Sequence, residues 1–215
     1  MQVLEFVRSQ LNAAVISDCL DAVGLRRQCL ATGIVPMTAD GVMAGYAFPV
    51  AIERVDDVPE HPFVGLVAAL DAIGPGEVFV TPTGRATDIA VWGELLSTAA
   101  QRRGAAGAVT DGLVRDIRGI RKLGFPVWST GRIPYDSMGR HEVVAHRVPA
   151  VIDGVVIEPR DLIVADDDGV VVVPQALTGQ IVEAAAQKRA SERAFRTAVS
   201  DGIGATEAFR RFGVL

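Results

Sequence analysis

Apolar residues at Val3, Leu4, Val7 and Leu11 recur at helical spacing and predict a helix over residues 2–12. Ser17 is placed to cap a second short helix over 18–23, which Gly24 would end from the left-handed conformation open to glycine. Residues 33–52 read as strands broken by Pro36, Gly41, Gly45 and Pro49. His61-Pro62 opens a helix over 63–73 that Gly74-Pro75-Gly76 closes, and a short strand follows over 77–81. From Trp92 the pattern alternates: helix 94–103, buried strand 106–110, helix 115–123, strand 126–129, with Gly104 and Gly124 as stops. Such alternation implies parallel pairing through helical crossovers. Residues 148–173 then turn all-β, and Asp153-Gly154 and Asp168-Gly169 between Val/Ile-rich runs predict hairpins. A long polar-faced helix over 175–200 and a short one over 206–211 complete the chain. The expectation is one α/β domain over 1–215 with a mixed sheet or barrel core flanked by helices, and a C-terminal helical extension from about 175 to 215.

Composition narrows the functional classes. Of 215 residues, 49% are hydrophobic and 22% charged, which excludes a disordered chain. The net charge of −5 and the lack of Lys/Arg runs argue against nucleic-acid and anionic-membrane partners. A mean hydropathy of +0.30 is high, yet charges or Gly/Pro interrupt every apolar stretch before it reaches membrane-spanning length. The apolar excess therefore points to strands buried on both faces, or to a large subunit interface. Glu5, Arg8 and Asp18 break the pattern of a signal peptide, so the cytoplasm is the expected compartment. Cys19 and Cys29 have neither disulfide-framework nor zinc-knuckle spacing.

Several motifs carry no chemistry. GxGxxG after a strand, GxxxxGK[ST] and GxSxG are absent from the sequence. The only lysines, Lys122 and Lys188, fall in polar-faced helices, whereas a Schiff-base lysine needs a desolvated pocket. His141 and His146 are five residues apart, about 140° on a helix and on opposite faces of a strand, so they do not form a zinc pair. Asp166-Asp167-Asp168-Gly169 lacks the distal glutamate of a calcium loop and reads as a turn.

Gly93-Glu94-Leu95-Leu96 is different, because it opens a helix directly after a turn. Free backbone N–H groups of a first helical turn suit a carboxylate or phosphate. About twenty residues on, a buried strand ends in Thr110-Asp111-Gly112-Leu113-Val114-Arg115-Asp116. The C-terminal ends of parallel strands are where α/β folds place ligands. Arg115 offers a fork for an oxyanion, and Asp116 offers a hard oxygen ligand for Mg²⁺. A purely structural reading also stands: Asp111 and Arg115 as an i,i+4 ion pair, with Asp116 stabilising a helix N-terminus.

At these residues the chain resembles the RraA-like family, which includes class II 4-hydroxy-4-methyl-2-oxoglutarate aldolases that also decarboxylate oxaloacetate. The resemblance runs through ISDCLDAVG (16–24), PGEVFV (75–80), WGELLSTAAQRRGAAGAVTDGLVRDIRGIRKLGFPVWSTG (92–131), PRDLIVADDDGVVVVP (159–174) and FRRFGVL (209–215). It implies a swivelling β/β/α fold, assembled as a trimer or a pair of trimers with active sites between subunits. It also implies site roles. Backbone groups of Gly93, Glu94, Leu95 and Leu96 would hold the pyruvyl carboxylate, and Arg115 would bind that end and stabilise the enolate oxygen. Asp116 would anchor Mg²⁺ or Mn²⁺ in a water-rich shell. Glu94 stands where characterised aldolases carry an aspartate that orients a water for proton transfer. Glu192 is the nearest match to a glutamate that reaches the metal's outer shell from a neighbouring subunit.

The implied chemistry suits the residue types. Cleaving a C–C bond beside a 2-keto acid leaves charge on a pyruvate enolate, which without a lysine iminium needs a metal and a guanidinium. The rival reading is a non-enzymatic, protein-binding regulator of the ribonuclease E inhibitor type, a branch that lacks the complete Glu94–Arg115–Asp116 set found here. For a distal substrate carboxylate the sequence offers Arg132 or Arg140.

Overall fold

The computed structural model describes residues 2–38 and 40–214. Helix α1 (Gln2–Gln10) buries Leu4 and Val7. Helix α2 (Ala13–Ala22) begins five residues before the expected start, because Asn12, not Ser17, is the cap. The Asn12 side chain accepts from the Val15 N–H at 3.0 Å, while Ser17 lies inside the helix with its hydroxyl 3.3 Å from Cys29 Sγ.

The second departure is β2 (Met43–Arg54), a 12-residue strand that follows the short β1 (Val35–Pro36) and runs unbroken through Gly45 and Pro49. Its neighbours explain both residues. Met43–Tyr46 pairs with β12 (Leu162–Asp166) and Val50–Arg54 with β9 (His141–His146), so Pro49 falls in the seam between two antiparallel partners, where no ladder needs its missing N–H. At Gly45 a Cβ would lie 2.7 Å from the Gly76 carbonyl oxygen and 2.8 Å from the Ala106 Cβ. Glycine there is a packing requirement, not a break.

The main sheet runs β1, β7 (Val127–Ser129), β5 (Gly107–Thr110), β3 (Glu77–Thr81), β2, β12, β13 (Gly169–Val173), with β9 added on β2. Strands β2, β3, β5 and β7 are mutually parallel, and the β12–β13 hairpin is antiparallel. Residues 28–30 join β13 through Leu30 N–H to Val170 O (2.9 Å) and Val172 N–H to Gln28 O (2.8 Å), while β1 pairs β7. One stretch of chain thus nearly closes the sheet into a barrel. Asp153 and Gly154, both at positive φ, make the tight turn between β10 (Ala150–Ile152) and β11 (Val155–Ile157).

The barrel interior is apolar, with Trp128, Val109, Ile163, Val172 and Ile157 buried together. Strands β3, β5, β7 and β12 are buried at every position, which accounts for much of the high hydropathy. Helices α1, α2 and α6 (Thr178–Ser200) share one outer core, and α7 (Ala205–Phe212) packs on α6. A second outer core lies under α3 (Val64–Ala72), α4 (Glu94–Arg102) and α5 (Ile117–Leu123). Among the described residues no helix is long and apolar enough to cross a membrane.

The feature that positions the site is a second, three-stranded parallel sheet of β4 (Ala90–Trp92), β6 (Leu113–Val114) and β8 (Gly131–Arg132). These strands follow β3, β5 and β7 in the chain. Helices α4 and α5 start directly beyond β4 and β6, so the first turns of both helices gather at the C-terminal ends of parallel strands.

Candidate active site

Local packing fixes the first turn of α4. The Trp92 carbonyl accepts from the Arg115 N–H at 2.9 Å, which ties β4 to the segment after β6. The Trp92 indole N–H donates to Ser97 Oγ at 2.8 Å, and Ser97 Oγ donates to the Gly93 carbonyl at 2.9 Å. Gly93 is the helix cap, and a Cβ there would sit 2.9 Å from Asp116 Oδ2 and 3.3 Å from Arg115 Cγ. Glycine therefore lets the α4 amides approach the Arg115-Asp116 pair.

Asp116 is held at φ 60° and ψ 29°, a left-handed conformation uncommon outside glycine. Its side chain makes no capping bond to α5. Instead Oδ2 lies 3.4 Å from the Glu94 N–H nitrogen and 3.7 Å from Arg115 Nε, with the side chain 47% exposed. Asp111 does not pair with Arg115 either. It is buried and accepts from the Thr83 N–H, the Thr83 hydroxyl at 2.9 Å and the Arg85 N–H at 3.2 Å, which holds the turn after β3. The ion-pair half of the structural alternative therefore fails, while Asp116 does meet a helix N-terminus, that of α4 through the Glu94 N–H, and both Arg115 and Asp116 line a cleft.

Gly93, Glu94, Leu95, Leu96, Arg115 and Asp116 come together as the spacing predicts. Arg115 stands between two concavities. One, of about 400 Å³, is walled by Phe63, Leu66, Trp92, Gly93 and Leu96. The other, of about 370 Å³, is lined by Arg115, Asp116, Ile117, Arg132, Ile133 and Pro134. The Glu94 side chain crosses to α5 and lies against Gly119, where any Cβ would overlap its carboxylate. Gly119→Ala should therefore dislodge the Glu94 carboxylate, the flexible end of that contact, and lower activity with little change in the unfolding midpoint. Turnover and urea unfolding measured on the same preparation check both halves.

One site residue was not foreseen. Asp136 Oδ2 lies 3.4 Å from Arg115 Nη1, on a loop that the Asp136 side chain itself shapes by accepting from the Ser137 N–H at 2.7 Å. Arg140 faces away from the distal-carboxylate role: its Nη1 donates to the Asp136 carbonyl at 3.0 Å and its guanidinium covers the Tyr135 ring. Arg132 remains open to the second concavity. His146 is a packing residue, stacked on Phe48 at 5.5 Å between ring centroids.

The profile of the RraA-like family, described as Aldolase/RraA, matches residues 13–172. The chain belongs to the RraA-like family. It is 32% identical over 194 residues to a Halalkalibacterium halodurans protein provisionally named 4-hydroxy-4-methyl-2-oxoglutarate aldolase, covering 90% of this chain and 87% of that one. It is 31% identical over 205 residues to protein DlpA of Legionella pneumophila, covering 89% of this chain but only 31% of DlpA. Among solved structures it superposes with a TM-score of 0.79 and 31% identity on Streptomyces coelicolor RraAS2, described as an unusual member of the RNase ES inhibitor RraA protein family. That match covers 89% of this chain and 94% of RraAS2.

The RraA-like match spans the whole Gly93–Asp116 constellation and ends before α6, which carries Glu192. Within the chain Glu192 lies 3.3 Å from Arg189 and belongs to the helix packed on α2, so it does not join Asp116 here. The role implied for it is that of a neighbouring copy. Among the described residues no three His, Cys, Asp or Glu side chains gather into a cage. What the site offers a cation is one half-exposed carboxylate that makes no capping bond to its own helix α5, beside an open cleft. A lone hard-oxygen donor beside open space fits Mg²⁺ or Mn²⁺, which Asp116 would hold.

Proposed function

We propose that this RraA-like protein is a divalent-metal-dependent carbon–carbon lyase that releases pyruvate from 4-hydroxy-4-methyl-2-oxoglutarate-type 4-hydroxy-2-keto acids, and from oxaloacetate by decarboxylation. The observation that carries the reading is the meeting of the α4 N-terminus, Arg115 and Asp116, with Asp116 Oδ2 3.4 Å from the Glu94 nitrogen and 3.7 Å from Arg115 Nε, and Arg115 lining both adjoining concavities. The Leu95 and Leu96 amides at that N-terminus bind the pyruvyl carboxylate, and Arg115 binds the C2 oxygen, where negative charge develops. Glu94 serves the proton transfers through water, taking the C4 hydroxyl proton and returning one to C3. The C3–C4 electron pair moves onto the enolate as the bond breaks, and the second product leaves with a new carbonyl. Mg²⁺ or Mn²⁺ held by Asp116 would supply Lewis-acid stabilisation of that enolate. A homotrimer or pair of trimers in the cytoplasm, with Glu192 reaching a neighbouring site, belongs to the same proposal.

A coupled pyruvate assay with both substrates tests it. Activity should vanish in EDTA and return with excess Mg²⁺ or Mn²⁺. Turnover of neither substrate with metal present would refute it.

A second reading, a non-catalytic regulator that binds a ribonuclease of the RNase E type, has its own support. The solved relative RraAS2 is described within an RNase ES inhibitor family, whereas the aldolase name of the H. halodurans protein is provisional. Likeness alone thus favours regulation over a specific aldol cleavage, and the catalytic reading rests on the side chains of the cleft. Inhibition of RNA cleavage by a purified RNase E-type enzyme, unaffected by Arg115→Ala, would identify the regulator.

A further inference from the structure

The acidic chain carries a basic concavity that adjoins the site. Arg118, Arg121, Lys122 and Arg132 line it with Ile117, around a volume of about 540 Å³. Among the described residues none of these four cations lies within 4.0 Å of a carboxylate. Arg121 is partly engaged, with Nε donating to the Met37 carbonyl at 3.2 Å. Arg132 belongs to both this concavity and the cleft of Arg115 and Asp116, and so connects them. It sits on β8 in register with Val114 of β6, the residue before Arg115. The Ile133 N–H donates to the Val114 carbonyl at 3.0 Å, so the two arginine-bearing segments are neighbouring strands.

Arg115 lines both concavities, the first of which holds the start of α4 and the second Arg132. Through that shared arginine, a ligand whose keto-acid end occupies the first concavity has Arg132 in the adjoining one to meet its far end. A guanidinium free of protein carboxylates matches a second carboxylate with two parallel hydrogen bonds. In a chain of net charge −5, a dianionic ligand requires such a local source of attraction.

We infer that Arg132, supported by the field of Arg118, is a specificity-determining residue that reads the second carboxylate of a 2-keto diacid. The inference rests on the proposed lyase site for the keto end, and it names the residue that would hold the distal carboxylate of the proposed substrates.

Binding of pyruvate and of 2-oxoglutarate with Mg²⁺ present, measured by calorimetry, tests it without requiring turnover. The two ligands share the keto-acid end and differ in the distal carboxylate. The wild-type chain should bind 2-oxoglutarate at least about tenfold more tightly, the size of one charge-assisted hydrogen-bonded contact. Arg132→Ala should remove that preference and leave pyruvate affinity within about twofold, while Arg132→Lys should keep part of it. No preference in the wild type, or a preference that survives Arg132→Ala, would overturn the inference. A chain that prefers 2-oxoglutarate through Arg132 yet releases no pyruvate would keep the inference and remove the lyase reading. Turnover without an Arg132-dependent preference would do the opposite.

Discussion

Arg115→Ala should lower kcat for pyruvate release by roughly 10²–10³-fold, the loss expected when a donor to a developing oxyanion is removed. The side chain is 33% exposed and outside the apolar cores, so the fold should persist. The change leaves Asp116 and Asp136 without the guanidinium that lies 3.7 Å from one and 3.4 Å from the other. The enolate oxygen would then form beside two carboxylates with no compensating positive side chain. Because this contact strengthens as charge develops, kcat should fall more than KM rises. Arg115→Lys should recover only part of the loss, since an ammonium keeps the charge but not the planar fork. Steady-state kinetics on the two variants check this, and a non-catalytic regulator would show no such graded series.

Trp128→Ala should destabilise the protein by about 3–5 kcal/mol. Trp128 is fully buried at the barrel interior among Val109, Ile163 and Val172. Its indole N–H donates to the Asp166 carbonyl at 3.0 Å, and the Asp166 carboxylate accepts from the Ala13 N–H at 2.7 Å. Truncation would empty a large volume in a closed core and also orphan a buried acceptor on the residue that meets the start of α2. Trp128→Phe should cost less, because most of the volume remains. Urea unfolding midpoints compared at equal m-values measure the difference.

Much of the fold is legible in the sequence where local chemistry is decisive. The alternation from Trp92 gives α4, β5, α5 and β7 because Gly104 and Gly124 are true stops and the strands are buried throughout, whereas the short strands β4, β6 and β8 carry no pattern of their own. The Asp153-Gly154 turn follows from its positive φ values. The failures are tertiary. Pro49 reads as a strand breaker until β2 is seen exchanging β12 for β9 at that point. Gly45 reads as a break until the Gly76 carbonyl is found against it. Ser17 and Asn12 are both capping residue types, and the structure uses Asn12, whose side chain takes the Val15 N–H while Asp166 takes that of Ala13.

The candidate site divides the same way. Gly93, Arg115 and Asp116 are legible because a helix start and a strand end announce themselves. Asp136 is not, because its contact with Arg115 joins the 133–140 loop to the strand end after β6, and nothing in the spacing encodes that. The tethering of Arg140 to its own loop by Tyr135 and the Asp136 carbonyl is equally absent from the spacing.

Formation of a pyruvate enolate at Arg115 and Asp116 is most directly tested by proton exchange at the pyruvate methyl group. The protein with Mg²⁺ and pyruvate in D₂O, followed by proton NMR, needs neither the physiological substrate nor a coupling enzyme. The lyase account predicts steady loss of the methyl signal as deuterium enters C3, abolished by EDTA and by Asp116→Ala. A methyl signal that decays no faster with the wild-type protein than with Asp116→Ala would contradict it.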